Sequence, residues 1–176
     1  ASAVGANALI AEIGHFALIV AMAVALAQAV VPLVGAQRGA DSWIAVARPA
    51  ALVQFGLVAL AFGALTTAFV TSDFSVLAVA QNSHSLKPML YKVSGVWGNH
   101  EGSLLLWILI LTAFGAAVAA FGNNLPPGLR ARVLSVQAMI GIGFLGFILF
   151  TSNPFERIFP APVEGAGLNP LLQDPG

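Results

Sequence analysis

Few side chains in this chain can move a proton or hold a charged ligand: seven carboxylates, seven lysines and arginines, three histidines and no cysteine. The missing cysteines exclude disulfides, thiolate metal sites and thiol catalysis, and leave the redox compartment undecided. The densest gathering of chemistry-bearing residues is YKVSGVWGNHEGSLLLW, Tyr91 to Trp107, with two of the three tryptophans, one histidine and one glutamate. One reading makes it an interfacial anchor. Trp97, Trp107 and Tyr91 are amphipathic rings suited to headgroup depth, Lys92 snorkels, Asn99 caps a helix, and Glu101 answers the positive end of its dipole. The other makes His100 and Glu101 a site for a polar or charged ligand at the membrane surface. Neighbours on a helix diverge by about 100°, so the two share one small ligand poorly. His15 stands three residues after Glu12, on the same helix face, where the two can pair; a haem or metal ligand is the alternative. His84 lies in the polar run QNSHS and is expected to be solvated. Histidines so scattered form no recognisable metal spacing.

These residues must be positioned by elements that live in lipid. Hydrophobic residues make up 59% of the 176, and charged residues only 8%, against about 25% in a soluble domain. Too little polar surface remains to cover a water-facing core. A net charge of zero gives no global field to recruit nucleic acid. Four uncharged intervals lie between Glu12 and Arg38, Arg48 and Asp73, Glu101 and Arg130, and Arg132 and Glu156, with 25, 24, 28 and 23 residues. A spanning helix needs about 20. The runs lack strict alternation, so helices are expected rather than barrel strands. The fold class is therefore all-α: a polytopic bundle of about four spans, over 13–34, 49–70, 103–122 and 132–151, in a single transmembrane unit covering 1–176.

Pro49 suits the first turn of the second span. Asn123, Asn124, Pro126 and Pro127 end the third, Pro154 follows the fourth, and Pro32 is expected to kink or stop the first. Gly141, Gly143 and Gly146 would let a neighbouring backbone approach the fourth. No charge falls deep inside a span, which offers no proton relay or ion path. The short connections 35–48 and 122–132 carry Arg38, Arg48, Arg130 and Arg132; the other segments carry Lys87, Lys92 and Arg157. The positive-inside rule then places both termini and the 71–102 segment outside the cytoplasm. Residues 74–80 (FSVLAVA) are apolar and β-rich, expected to pack on the membrane surface or pair with a strand. The proline-rich tail 152–176 is expected to be extended and irregular, with Leu168, Leu171 and Leu172 docking on something apolar.

WGNHEGSLLLW, Trp97 to Trp107, closely resembles the WGGHEGSLLLW signature of the CcmF family, large haem lyase subunits of cytochrome c maturation. EIGHFAL (Glu12 to Leu18), VTSDFSVLAVAQNSHSLKPMLYKVSGVW (Val70 to Trp97) and FTSNPFERIFPAPVEGAGLNPLLQDPG (Phe150 to Gly176) resemble family segments in the same order. Asn99 departs from the family's usual glycine. The family is several times longer. Its tryptophan-rich WWD segment, HPP stretch and haem-ligand histidines come later, so the chain is read as an N-terminal portion, whole or split.

The resemblance implies a multi-pass protein of the bacterial inner membrane, with termini and the 71–102 loop on the periplasmic side. It implies haem transfer from a haem chaperone and thioether formation between haem vinyls and the cysteines of a CxxCH motif on apocytochrome c. Further implied partners are the remainder of CcmF or its split subunits and a CcmH-type subunit, with lipid around them. A haem b belongs to the complete protein, and none is expected to be ligated by this chain alone, since His15, His84 and His100 do not match the family's ligands. The matched signature residues Trp97, Gly98, His100, Glu101, Gly102, Ser103 and Trp107 inherit a role of unspecified kind; catalytic residues are not assigned. The competing class is a non-catalytic scaffold or transporter subunit, and the absence of charges within the spans weakens the transporter.

Overall fold

The computed structural model describes residues 2–166, with side chains from Leu9 onward. Seven helices follow one another: α1 (Ser2–Arg38), α2 (Asp41–Ile44), α3 (Ala47–Val70), α4 (Leu77–Asn82), α5 (Met89–Gly95), α6 (His100–Phe121) and α7 (Pro127–Phe150). Among the described residues four stretches are long and apolar enough to cross a membrane: Leu9–Arg38, Asp41–Val70, His100–Asn124 and Pro127–Phe150. Each overlaps one expected span, and the all-α class holds.

The helix faces that meet are rich in small residues, and many large apolar ones face outward. Ala17, Ala21, Ala25 and Ala29 recur every fourth residue down α1 and are buried; Ala61, Ala64 and Ala68, three and then four apart, are buried likewise on α3. Residues four apart share a helix face. Phe16, Phe114, Phe121 and Phe150 are exposed, the last at 87%. A soluble core would invert this, but lipid solvates large apolar side chains, and small ones let backbones close on each other. α1 packs along α3 and α7, and α6 lies against both α3 and α7. Gly141 belongs to this packing, facing Gln54 and Ile108, and Gly146 faces Met22, whereas Gly143 meets open space.

Pro32 does not end α1, which runs on to Arg38. A proline within a helix deprives the carbonyl four residues earlier of its donor, here the carbonyl of Gln28. The Ser135 hydroxyl of α7 donates to that carbonyl at 3.1 Å. The Gln28 amide in turn donates to the Leu134 carbonyl at 2.9 Å and to Gln137 Oε1 at 3.1 Å. Gln137 reaches on to the Leu111 carbonyl of α6 at 3.3 Å. A polar knot thus joins three helices where the sequence showed only uncharged runs.

Residues 74–80 take neither expected form throughout. Leu77–Asn82 is helix, with Ala78, Val79 and Ala80 buried. Pairing is confined to one isolated antiparallel bridge between Val76 and Arg157. β-propensity expresses itself only where a partner strand exists, and the tail offers one residue of pairing. That tail is irregular as expected over 152–166; Leu168, Leu171 and Leu172 lie outside the described residues.

Ser135→Ala should destabilise the bundle by about 0.5–2 kcal/mol in a bicelle unfolding titration. Pro32→Ala restores an amide donor to the Gln28 carbonyl, so in that background the loss should shrink. An undiminished loss would show that Ser135 does not answer the proline.

Candidate functional site

Three of the conspicuous sequence stretches meet at one end of the bundle. The tail descends along α1 residue by residue. Asn153 Nδ2 lies 3.3 Å from His15 Nδ1, the Phe155 ring covers Gly14, and Arg157 Nη1 lies 3.3 Å from Glu12 Oε1. A Cβ on residue 14 would collide with that ring. Glu12 and His15 therefore each pair with the tail rather than with each other. The tail also ties down the 71–102 segment. Leu77 N donates to Glu156 O at 2.7 Å, Ile158 N to Ser75 O at 3.0 Å, and Ala166 N to Ala80 O at 2.7 Å. Arg157 Nη2 donates to Ser75 Oγ at 3.1 Å. Further along, both Ser85 Oγ and Ser85 N donate to the Glu164 carboxylate. Those two bonds hold its carboxyl down to about 2, with His84 adding a smaller attraction. His84 is thus not simply solvated: its Nδ1 lies 3.8 Å from Glu164 Oε1 and accepts from Leu86 N at 3.2 Å.

The signature opens α6 above this frame. Asn99 is the N-cap, its Oδ1 accepting from Gly102 N at 2.8 Å. Its Nδ2 donates back to Gly95 O and Val96 O at 2.8 and 3.2 Å. Asparagine in this role satisfies orphan groups on both sides of the turn, which glycine lacks the atoms to do. Gly102 is required by space: a Cβ there would run into the Val96 carbonyl. The α5–α6 turn consequently folds back tightly on the first turn of α6. Lys92 does not snorkel freely; its Nζ donates to Ser72 Oγ at 2.7 Å.

The turn leaves a cavity of about 570 Å³ lined by Gln81, Asn82, Trp97, Gly98, Asn99, His100, Glu101 and Ser103. Five of the seven signature residues line it. Gly102 is buried beneath, and Trp107 sits lower on α6, 63% exposed. The His100 ring stands edge-on to Phe147 of α7, centroids 6.2 Å apart. Ser103 Oγ donates to the His100 carbonyl at 2.9 Å. Glu101, half-buried in the first turn, has no ion-pair partner among the described residues. The cavity thus offers an imidazole, a free carboxylate, three amide side chains and an aromatic wall, suited to a ligand with both polar groups and a planar apolar body. Gln81 and Asn82 were missed in the sequence. Their only signal was the polar run after an apolar stretch, and α4 brings them across.

Residues 97–176 match the family described as Cytochrome C assembly protein, a match that begins at Trp97. Across 96% of its length the chain is 69% identical to the cytochrome c-type biogenesis protein ccl1 of Rhodobacter capsulatus and 56% identical to CcmF of Pseudomonas aeruginosa. The chain belongs to the CcmF family of cytochrome c-type biogenesis proteins. It spans about a quarter of those relatives, 26% of each. A solved structure described as Cytochrome c Heme Lyase CcmF superposes with a TM-score of 0.79 at 28% identity, covering 84% of this chain and 25% of the other. The four-motif resemblance and the membrane-helical fold therefore hold, and the protein is a multi-pass membrane protein.

A haem iron takes one or two axial side chains, and this CcmF-family chain contributes three histidines in three separate settings. His100 alone lines the cavity, His15 faces Asn153, and His84 faces Glu164. Among the described residues no three His, Asp or Glu side chains converge on a point that would hold a metal ion.

Proposed function

We propose that this chain is part of a membrane haem lyase that attaches haem covalently to apocytochrome c. Its signature cavity forms part of the outer surface where haem or a protein partner is received. The reading rests above all on one observation: the family's most specific motif delivers five residues to a single cavity at the mouth of a membrane helix. Glu101 accepts beside the exposed N–H groups of the helix start and orients what docks there. His100 donates to a haem propionate or to a partner's carboxylate. Both act as binding and positioning groups, and no bond-making step is assigned to them.

The complete protein holds haem b through residues outside this segment, and it works with a haem chaperone, a CcmH-type subunit and apocytochrome c. The membrane is the bacterial inner membrane, with the signature on the periplasmic side. The four arginines at the opposite end, Arg38, Arg48, Arg130 and Arg132, support that orientation. In intact cells, Leu86→Cys should then label with an impermeant thiol reagent and Ser42→Cys should not. The reverse pattern would invert the topology.

In the full-length protein, Glu101→Gln should lower holocytochrome c yield about tenfold, the scale of one charged hydrogen bond, and His100→Ala should lower it severalfold. Haem staining measures the yield, and immunoblotting of membranes must show unchanged abundance. Normal yield in both variants would leave the signature an interfacial anchor. Loss of the protein itself would assign these residues to folding instead.

A further inference from the structure

At the end of the bundle opposite the signature, α2 and the starts of α3 and α7 enclose a cleft of about 430 Å³. Its charged walls are Arg48 on α3, Arg130 on α7 and Asp41 on α2. The floor is apolar: Ala47 and Ala131 are buried, and Ile44 is half-buried. Among the described residues neither arginine lies within ion-pair distance of a carboxylate. Arg130 donates to Asn123 Oδ1 at 3.1 Å and to the Gly122 carbonyl at 3.4 Å, neutral groups that orient its guanidinium without cancelling its charge. Arg48 makes no protein hydrogen bond among the described residues and is exposed.

Depth identifies what is there to bind. Arg48 and Arg130 lie near the ends of the spans Asp41–Val70 and Pro127–Phe150, which places them at headgroup level. Trp43, 44% exposed, with Arg38 6.0 Å from its ring centroid, is an interfacial aromatic on the neighbouring α2. Two guanidiniums beside one carboxylate leave one net positive charge, which matches a phosphodiester with its single negative charge. Guanidinium forks also match phosphate oxygens in geometry. The apolar floor suits the glycerol and first acyl carbons below the phosphate.

We infer that this cleft is a binding site for the headgroup phosphate of an anionic membrane phospholipid, clasped between Arg48 and Arg130. The bound lipid bridges α3 and α7 at the end of the bundle away from the signature. Asp41 faces the same headgroup and weakens the hold on its phosphate.

The full-length protein in nanodiscs of phosphatidylcholine doped with phosphatidylglycerol tests this, with lipid retained after mild delipidation counted by native mass spectrometry. Wild type should retain one phosphatidylglycerol that Arg48→Gln loses about fivefold, the scale of one guanidinium near a membrane surface. Arg48→Lys should lose less, and Asp41→Asn should retain more. Arg132→Gln removes the same charge from the same end without lining the cleft and should change nothing. Equal retention by wild type and Arg48→Gln would overturn the site, as would equal loss in Arg132→Gln, which would show only a diffuse charge effect. Inorganic phosphate in a pure phosphatidylcholine disc supplies the remaining arm. A phosphate adduct on wild type that resists added phosphatidylglycerol would make this a soluble-anion site and overturn the lipid assignment. Arg48 is exposed and free of protein hydrogen bonds, so its variants should fold; unaltered helicity verifies it.

Discussion

Hydrocarbon offers no hydrogen bonds, and the carbonyl of Gln28 is where that constraint bears hardest on this fold. Pro32 takes away its helical donor in the middle of a span. Left alone in lipid, such a group costs several kcal/mol. Ser135 answers it from α7, so α1 continues past its proline with that carbonyl satisfied. The Gln28 and Gln137 side chains extend the same solution to α6. Gln54, buried on α3 with no partner for its amide atoms among the described residues, packs beside Gly141 on the same side of α7. Around this polar knot the alanine faces of α1 and α3 close without any hydrophobic drive, since lipid is as apolar as they are.

The helices held this way give a rigid platform at one end, and the tail organises what stands on it. Arg157 joins Glu12 of α1 to Ser75 of the connecting segment, Phe155 covers Gly14, and Asn153 faces His15. The stretches EIGHFAL and FTSNPFER are conspicuous in sequence because they fit each other. With α4 fixed by the tail, Gln81 and Asn82 face the signature turn, and the Asn99 cap with the Gly102–Val96 approach sets where that turn lies. Site residues near each other in space thus depend on contacts 79 to 145 residues apart in the chain.

The membrane class and the four spans were legible because charge, helix length and bilayer thickness are coupled directly: an uncharged run of 23 to 28 residues has few other places to be. The signature was legible as a family motif. The course of α1 through Pro32 was not, because the hydroxyl that answers its freed carbonyl lies 107 positions away. The same holds for α4: FSVLAVA reads as β, and only its burial against the bundle makes Leu77–Asn82 helical. Glu12 and His15 have ideal spacing to pair, yet each finds a partner in the tail. Spacing within one helix reveals a shared face but not what arrives on it. The buried glutamines escaped attention because neutral amides leave no mark on a charge pattern.

The central claim is that the cavity beneath the signature receives haem or a haem-handling partner. A photoreactive residue placed at Gln81 of the full-length protein, which lines the cavity but lies outside the signature, tests it most directly. Cells making cytochrome c should yield a covalent adduct from position 81 to haem, to the haem chaperone or to apocytochrome c. The same residue at the exposed Phe114 should yield none of these. No adduct from position 81 in cells that mature cytochrome c normally, or equal adducts from Phe114, would contradict the account.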